Sequence, residues 1–386
     1  MHRITTMKHV LATWLIAGAA APALAGPTIN LHDIGGVAGS PAEQGFRIAA
    51  KYWESVLTNN VVLNFDVGFA PLGAGVLGGT RSALAQFVPI SGYYSALAAT
   101  GTSALDAKAV ANLSPLSNTG SVYVVVPEYF TPSTKDGVAA SGTRIAPDNA
   151  LISQTIALSS ANLKALQGGN TNVVDGIIEF SSDFGFDFNP TDGISAGKYD
   201  FIGVAVHEMG HALGFLSGAD DFDYYVGSGS GIDDAWWGYG ADMFRYSSPG
   251  VLDWTFNTNS YFSLDGGKTA YQNGFFSTGT DYGDGWQASH WKAPVTQPVC
   301  SNFLGAMNPY ICGGTVDTVT GLDLALFDAI GWNLNVDVLN NPSYAFTTAQ
   351  MYASAVPEPA SWALLMAGAA MMVVSRRRQR RTGGAA

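Results

Sequence analysis

The sequence predicts an α+β body built as one large domain. Strand-like and helix-like stretches both occur, without the regular strand–helix–strand alternation that marks a doubly wound or barrel fold. No stretch repeats at the period of a solenoid or propeller. Apolar residues are 47% of the 386, ample for a core, and charged residues only 12%. Soluble chains average roughly 25% charged residues, so this is not a disordered polyelectrolyte.

Taken in order, residues 41–58 read as a helix, with Phe46, Ala49, Ala50, Trp53 and Leu57 near one face. Residues 61–69 alternate, placing Val61, Leu63, Phe65 and Val67 on one side of a strand. A short buried strand is expected at 122–126. Residues 150–166 fit a helix or an extended segment. Another strand follows Asp175-Gly176 at 177–180. Residues 199–215 form an apolar helix with an embedded polar face, and 320–330 a second helix stopped by Gly331. Residues 218–289 are rich in Gly, Asp, Ser and aromatics and read as a loop-rich insertion. Residues 341–355 read as a linker.

The two ends carry addresses. Arg3 and Lys8 precede an apolar run at 10–21, then Pro22 and the small-x-small site Ala23-Leu24-Ala25. This is the layout of a signal peptide over 1–25, with Gly26 as the mature start. At the other end, Val356-Pro357-Glu358-Pro359 leads into a mostly apolar stretch at 360–374 and the basic run Arg376-Arg377-Arg378-Gln379-Arg380-Arg381. That order resembles the PEP-CTERM sorting signal of Gram-negative bacteria, over 356–381. The resemblance implies recognition by an exosortase, removal of the tail and delivery to the outer surface or extracellular matrix. Contact with membrane would then run only through this transient segment. The other reading is a plain membrane anchor. Residues 26–357 keep 11 of the 18 basic and 29 of the 30 acidic residues, a balance of −18. Such a body excludes a nucleic-acid binder and suits cationic partners or calcium.

The chemistry-bearing window is His207-Glu208-Met209-Gly210-His211, an H-E-x-x-H pattern. On a helix, positions i and i+4 share a face, so both imidazoles can reach one zinc ion. Glu208 then stands beside a metal-bound water as general base. Gly214 comes three residues later, where a left-handed glycine can end the helix and turn the chain. A catalytic zinc wants three protein ligands and an open position. The remaining candidates beyond the signal are His32, which no motif surrounds, and His290 in Ala288-Ser289-His290-Trp291. Asp220 and Asp221 are rivals, lying shortly after the turn. Asp183, Asp187 and Asp192, like Asp220, Asp221 and Asp223, could gather Ca2+, but none matches an EF-hand spacing, and loop aspartates also serve as turn caps.

H-E-x-x-H-x-x-G resembles the core of the metzincin zinc peptidases. The chain departs from their compact form at Ser217, where a third His would stand. It is more similar to leishmanolysin-type members, in which an insertion separates the glycine turn from a late His-Trp. On that likeness His290 is the third ligand, and Met307, in Gly305-Ala306-Met307-Asn308-Pro309, is the methionine beneath the site. The resemblance implies a metzincin-like twisted mixed sheet over an active-site helix, with a loop-rich C-terminal subdomain, filling 26–340. Cys300 and Cys312 flank Met307. In an exported chain they can form a disulfide around that turn, or stay as two separate buried thiols.

The function so implied is an exported zinc metalloendopeptidase acting on protein or peptide substrates, with His207, His211 and His290 on Zn2+ and Glu208 as base. The alternative is a non-catalytic surface or matrix protein with a structural or vestigial zinc site. An intact Glu208 and only three good ligands weigh against it, because a structural zinc closes its shell with four.

Overall fold

The computed structural model describes residues 26–73, 75–169, 171–293, 300 and 303–356. The expected signal peptide and nearly all of the sorting tail lie outside them. The architecture is α+β, and the core is one continuous apolar cluster. At its centre is a four-stranded mixed sheet in the order Thr28–Gly35, Val62–Ala70, Gly176–Ser181, Gly78–Ser82. The first three strands run parallel and the last is antiparallel, with Thr80 opposite Ile178. Two helices pack beside it, Pro41–Val56 and Phe201–Ala212. Gly45 is what lets them approach: a Cβ there would stand 2.2 Å from the Phe201 ring. Phe201 in turn packs on Phe46 and Phe180, with ring centroids 5.1 and 4.7 Å away.

Four tryptophans, Trp53, Trp254, Trp291 and Trp332, are fully buried, and each indole N–H donates to a protein oxygen. Trp53 Nε1 reaches Val206 O at 3.3 Å and Trp332 Nε1 reaches Leu213 O at 2.9 Å. Truncating one such ring to Ala costs about 3–5 kcal/mol, so Trp53 and Trp332 hold the helix Phe201–Ala212 at its middle and at its C-terminus.

The segment 150–166, open between helix and extended chain, resolves into both: a helical turn at Leu151–Gln154, strand Thr155–Ser159 and helix Ser160–Gln167. The stretch 218–289 is not a detached insertion. Its strands Arg245–Ser248, Val251–Asp253 and Tyr261–Phe262 complete a five-stranded sheet with Val124–Thr131 and Asp136–Ile145. Residues 341–355 correct the expectation of a linker. Ala345–Thr347 pairs antiparallel with Thr318–Thr320, and helix Thr348–Ala355 follows with Met351 buried. The cause is local: Thr347 caps that helix in a reciprocal box with Gln350.

Candidate metal centre

The helix Phe201–Ala212 carries the site, and both its ends are held by side chains whose types the sequence dictates. Asp200 caps the N-terminus, accepting from Gly203 N at 3.1 Å, and also accepts from Asp317 N at 3.0 Å and from the Thr348 hydroxyl. At the C-terminus Gly214 has φ +116°. Its N–H donates to His211 O at 3.0 Å and that of Phe215 to Gly210 O at 3.1 Å, the paired bonds of a Schellman turn. The turn brings Phe215 O to 2.9 Å from His211 Nδ1.

His207 and His211 stand one turn apart, and His290 joins them. All three Nε2···Nε2 separations are 3.1 Å. Each opposite ring nitrogen faces a backbone carbonyl: His207 Nδ1 and Ala306 O at 2.7 Å, His211 Nδ1 and Phe215 O, His290 Nδ1 and Gln287 O at 3.2 Å. A carbonyl only accepts, so in the neutral rings Nδ1 carries the proton and Nε2 a lone pair. Three lone pairs then converge with no proton between them, a repulsive arrangement unless a cation sits there. Nitrogens about 2.0–2.1 Å from a tetrahedral zinc lie about 3.3–3.4 Å apart, close to the observed triangle. The donor set therefore fits a zinc-like ion. Burial pushes His211 down to about 3 and His290 well below its ordinary range, each helped by neighbouring imidazoles. Low pKa values keep those rings neutral, as ligands must be. Among the described residues this is the only grouping of His, Cys, Asp or Glu with metal-holding geometry.

Glu208 is buried on the same helix. Thr80 Oγ1 lies 2.8 Å from its Oε2 and 2.9 Å from its backbone O. Burial raises its pKa, opposed by His207 and the Thr80 bond. Thr80 comes from the edge strand Gly78–Ser82, whose residue Ser82 donates to His211 O at 3.0 Å. That strand carries two glycines and no apolar alternation, so nothing in the sequence marked it. A cleft of about 750 Å³ opens on His207 and Glu208.

The floor is Met307, fully buried. A Cβ on Gly210 would stand 2.5 Å from its sulfur, so any side chain at the glycine inside H-E-x-G-H would have to displace the methionine below. Asp323 organises this floor. Its carboxylate accepts from Ala306 N (2.9 Å), Met307 N (3.2 Å), Trp291 Nε1 (2.8 Å) and Thr320 N (2.8 Å). A disulfide joins Cys300 and Cys312 across the same turn.

The rival aspartates have other work. Asp220 accepts from Ala288 N and, at 3.0 Å, from Ser289 N, so it fixes the backbone that presents His290. Asp221 accepts from the Tyr239 hydroxyl at 3.2 Å, and Asp223 from Asp281 N and Tyr282 N, both at 2.8 Å. Burial raises Asp220 and Asp221 each to about 6. Asp187 accepts from Asn189 N and Ser195 N, at 3.1 and 3.0 Å. These are turn and loop braces. His32 is exposed, 3.5 Å from Asp66.

Residues 355–381 match the PEP-CTERM protein-sorting motif. The motif implies export, recognition by exosortase-type sorting machinery and surface or membrane-associated sorting in Gram-negative bacteria. Among the described residues no helix is long and apolar enough to cross a membrane. No curated protein and no solved structure matches the chain.

Proposed function

We propose that this chain is an exported zinc metalloendopeptidase of the metzincin type. The observation that carries the reading is the triangle of three Nε2 atoms 3.1 Å apart, each imidazole held from behind by a carbonyl, with a buried carboxylate beside it. His207, His211 and His290 would hold zinc, which when bound lowers the pKa of a water and polarises the scissile carbonyl. Glu208 takes the proton of the attacking water and passes it to the leaving amine. Thr80 holds Oε2, and among the described residues no group bonds Oε1, which leaves that oxygen for the proton. The edge strand Gly78–Ser82 offers its unpaired side to an extended peptide beside the cleft. Calcium has no comparable support: Asp187, Asp220 and Asp223 spend their carboxylates on backbone amides, and among the described residues only His207, His211 and His290 form a metal-holding group.

The test is metal content with casein hydrolysis on the exported chain, wild type beside Glu208→Gln. Both should bind one zinc per chain. Only the wild type should show chelator-sensitive cleavage, with the variant slower by about 10²–10⁴-fold. Hydrolysis retained in Glu208→Gln would remove the glutamate from its role. Zinc without hydrolysis in the wild type, across casein and a peptide library, would favour the non-catalytic surface protein.

A further inference from the structure

The cleft beside Glu208 contains a second carboxylate that the proposed chemistry does not use. Asp317 lines it, half-buried, against the helix face one turn before His207. Gly203 makes that placement possible: a Cβ there would lie 2.5 Å from the Asp317 Cβ and 3.0 Å from its Oδ2. Oδ1 accepts from Thr318 N at 2.8 Å, and among the described residues nothing bonds Oδ2. Among the described residues no Lys or Arg lines the cleft. Burial first, then the negative charge of Asp200 and Asp323 nearby, holds the Asp317 pKa well above the carboxylate range. Among the described residues none of these three has a basic partner. A cationic ligand is what would let Asp317 ionise there.

A second observation is independent of charge. Asn308 is only 4% exposed, lines the same cleft and has its Oδ1 engaged by Leu304 N at 3.3 Å. Its Nδ2 is buried without a partner among the described residues, a donor that an acceptor on a ligand would satisfy. The cleft thus offers one unused donor and one unused acceptor, and its lining includes Phe184 and Tyr199 packed edge to face. A peptide carbonyl answers the first. The head of a long basic side chain answers the second, its aliphatic stem lying along the aromatics.

We infer that this cleft selects substrates with Lys or Arg next to the scissile bond, the cationic head on Asp317 and a backbone carbonyl on Asn308. The inference rests on the peptidase reading above, and its test separates the two. Internally quenched peptides with Lys, Arg, norleucine or Glu at each position flanking the scissile bond are given to the wild type. At one position Lys and Arg should exceed norleucine about tenfold in kcat/KM, as expected for one desolvated charge-assisted contact. In Asp317→Asn that ratio should fall to about one; being a ratio within one variant, it does not depend on the fraction folded. A parallel arm needs no turnover. Zinc-loaded Glu208→Gln should bind the fluorescent Lys peptide about tenfold tighter than its norleucine analogue, and the added Asp317→Asn change should erase the difference. Equal rates, or a preference that survives Asp317→Asn, overturn the Asp317 assignment while leaving the peptidase intact. No hydrolysis of any peptide overturns the peptidase, and the binding arm then still decides whether Asp317 selects a basic side chain.

Discussion

His207 and His211 owe their geometry to one helix, whereas His290 is delivered by a loop some eighty residues away in sequence. The pair is set by helical pitch, and its helix is held by Asp200, Gly214 and two buried indoles. The third imidazole has no such frame. Its backbone is clamped between Asp220, which takes the amides of residues 288 and 289, and Arg245, which donates to Ala288 O at 3.3 Å and Ser277 O at 3.1 Å. Asp323 ties Trp291 to the methionine turn. Regular structure places two imidazoles through local bonds; buried carboxylates place the third through bonds to backbone amides. The second half of the centre should therefore be lost first.

The sharpest break of that contrast is Asp323→Asn. The amide would turn a donor toward groups that already donate, leaving at least one buried N–H unpaired. Because hydrogen bonds to a charged group contribute about 1.5–3 kcal/mol each, the loss should reach about 3 kcal/mol or more in chemical unfolding. Zinc affinity, read by competition with a chelator, should fall with it. A variant with unchanged stability would mean the floor is held by the Cys300–Cys312 disulfide and packing instead.

A smaller effect is expected from Asp220→Asn. Partners behind a metal ligand are typically worth 10–100-fold in affinity, and that range is expected here, with a stability loss of about 1–3 kcal/mol because one of the two amides loses its acceptor. The measurement also decides the role. Zinc binding abolished outright would make Asp220 itself a ligand, whereas a loss within two decades makes it the brace of His290.

How far the sequence revealed this site follows the same division. The H-E-x-x-H window and Gly214 were legible because five residues and one glycine encode the pair and its turn. His290 and Met307 were reached through a family resemblance, since no local period links residue 211 to residue 290. Thr80 was invisible, because Gly-Gly-Thr-Arg-Ser shows no strand alternation. Asp220 was legible as important but open as to role: a carboxylate that binds metal and one that binds amides look alike until the amides are placed. Asp323 and Asp317 were missed for the same reason. The helix at Thr348–Ala355 did leave a signal, the Thr347-x-x-Gln350 capping box, overshadowed by the polar run before it.

The subtlest expected effect compares two carboxylates on one helix, Gly321–Ala329. Asp323 is surrounded by donors. Asp328, five residues on, accepts among the described residues only from Ser103 Oγ, at 2.9 Å through Oδ2, and its Oδ1 is buried with no partner among them. Burial, then the nearby charge of Asp106, pushes Asp328 up to about 8 from an ordinary 3.8. Between those values the folded chain keeps a proton that the unfolded chain has released. The stability Asp328 contributes is therefore full below about pH 4 and declines as pH rises toward about 8. Asp328→Asn removes the titration, so the variant should gain on the wild type by about 1 kcal/mol between pH 6 and pH 7. Urea unfolding of both chains at those two pH values reads the difference directly. A stability difference that stays flat with pH would mean Asp328 keeps its charge in the folded chain. One hydroxyl would then serve a buried carboxylate nearly as well as the ring of amides around Asp323, and the contrast between well-donated and poorly donated acids would lose its force.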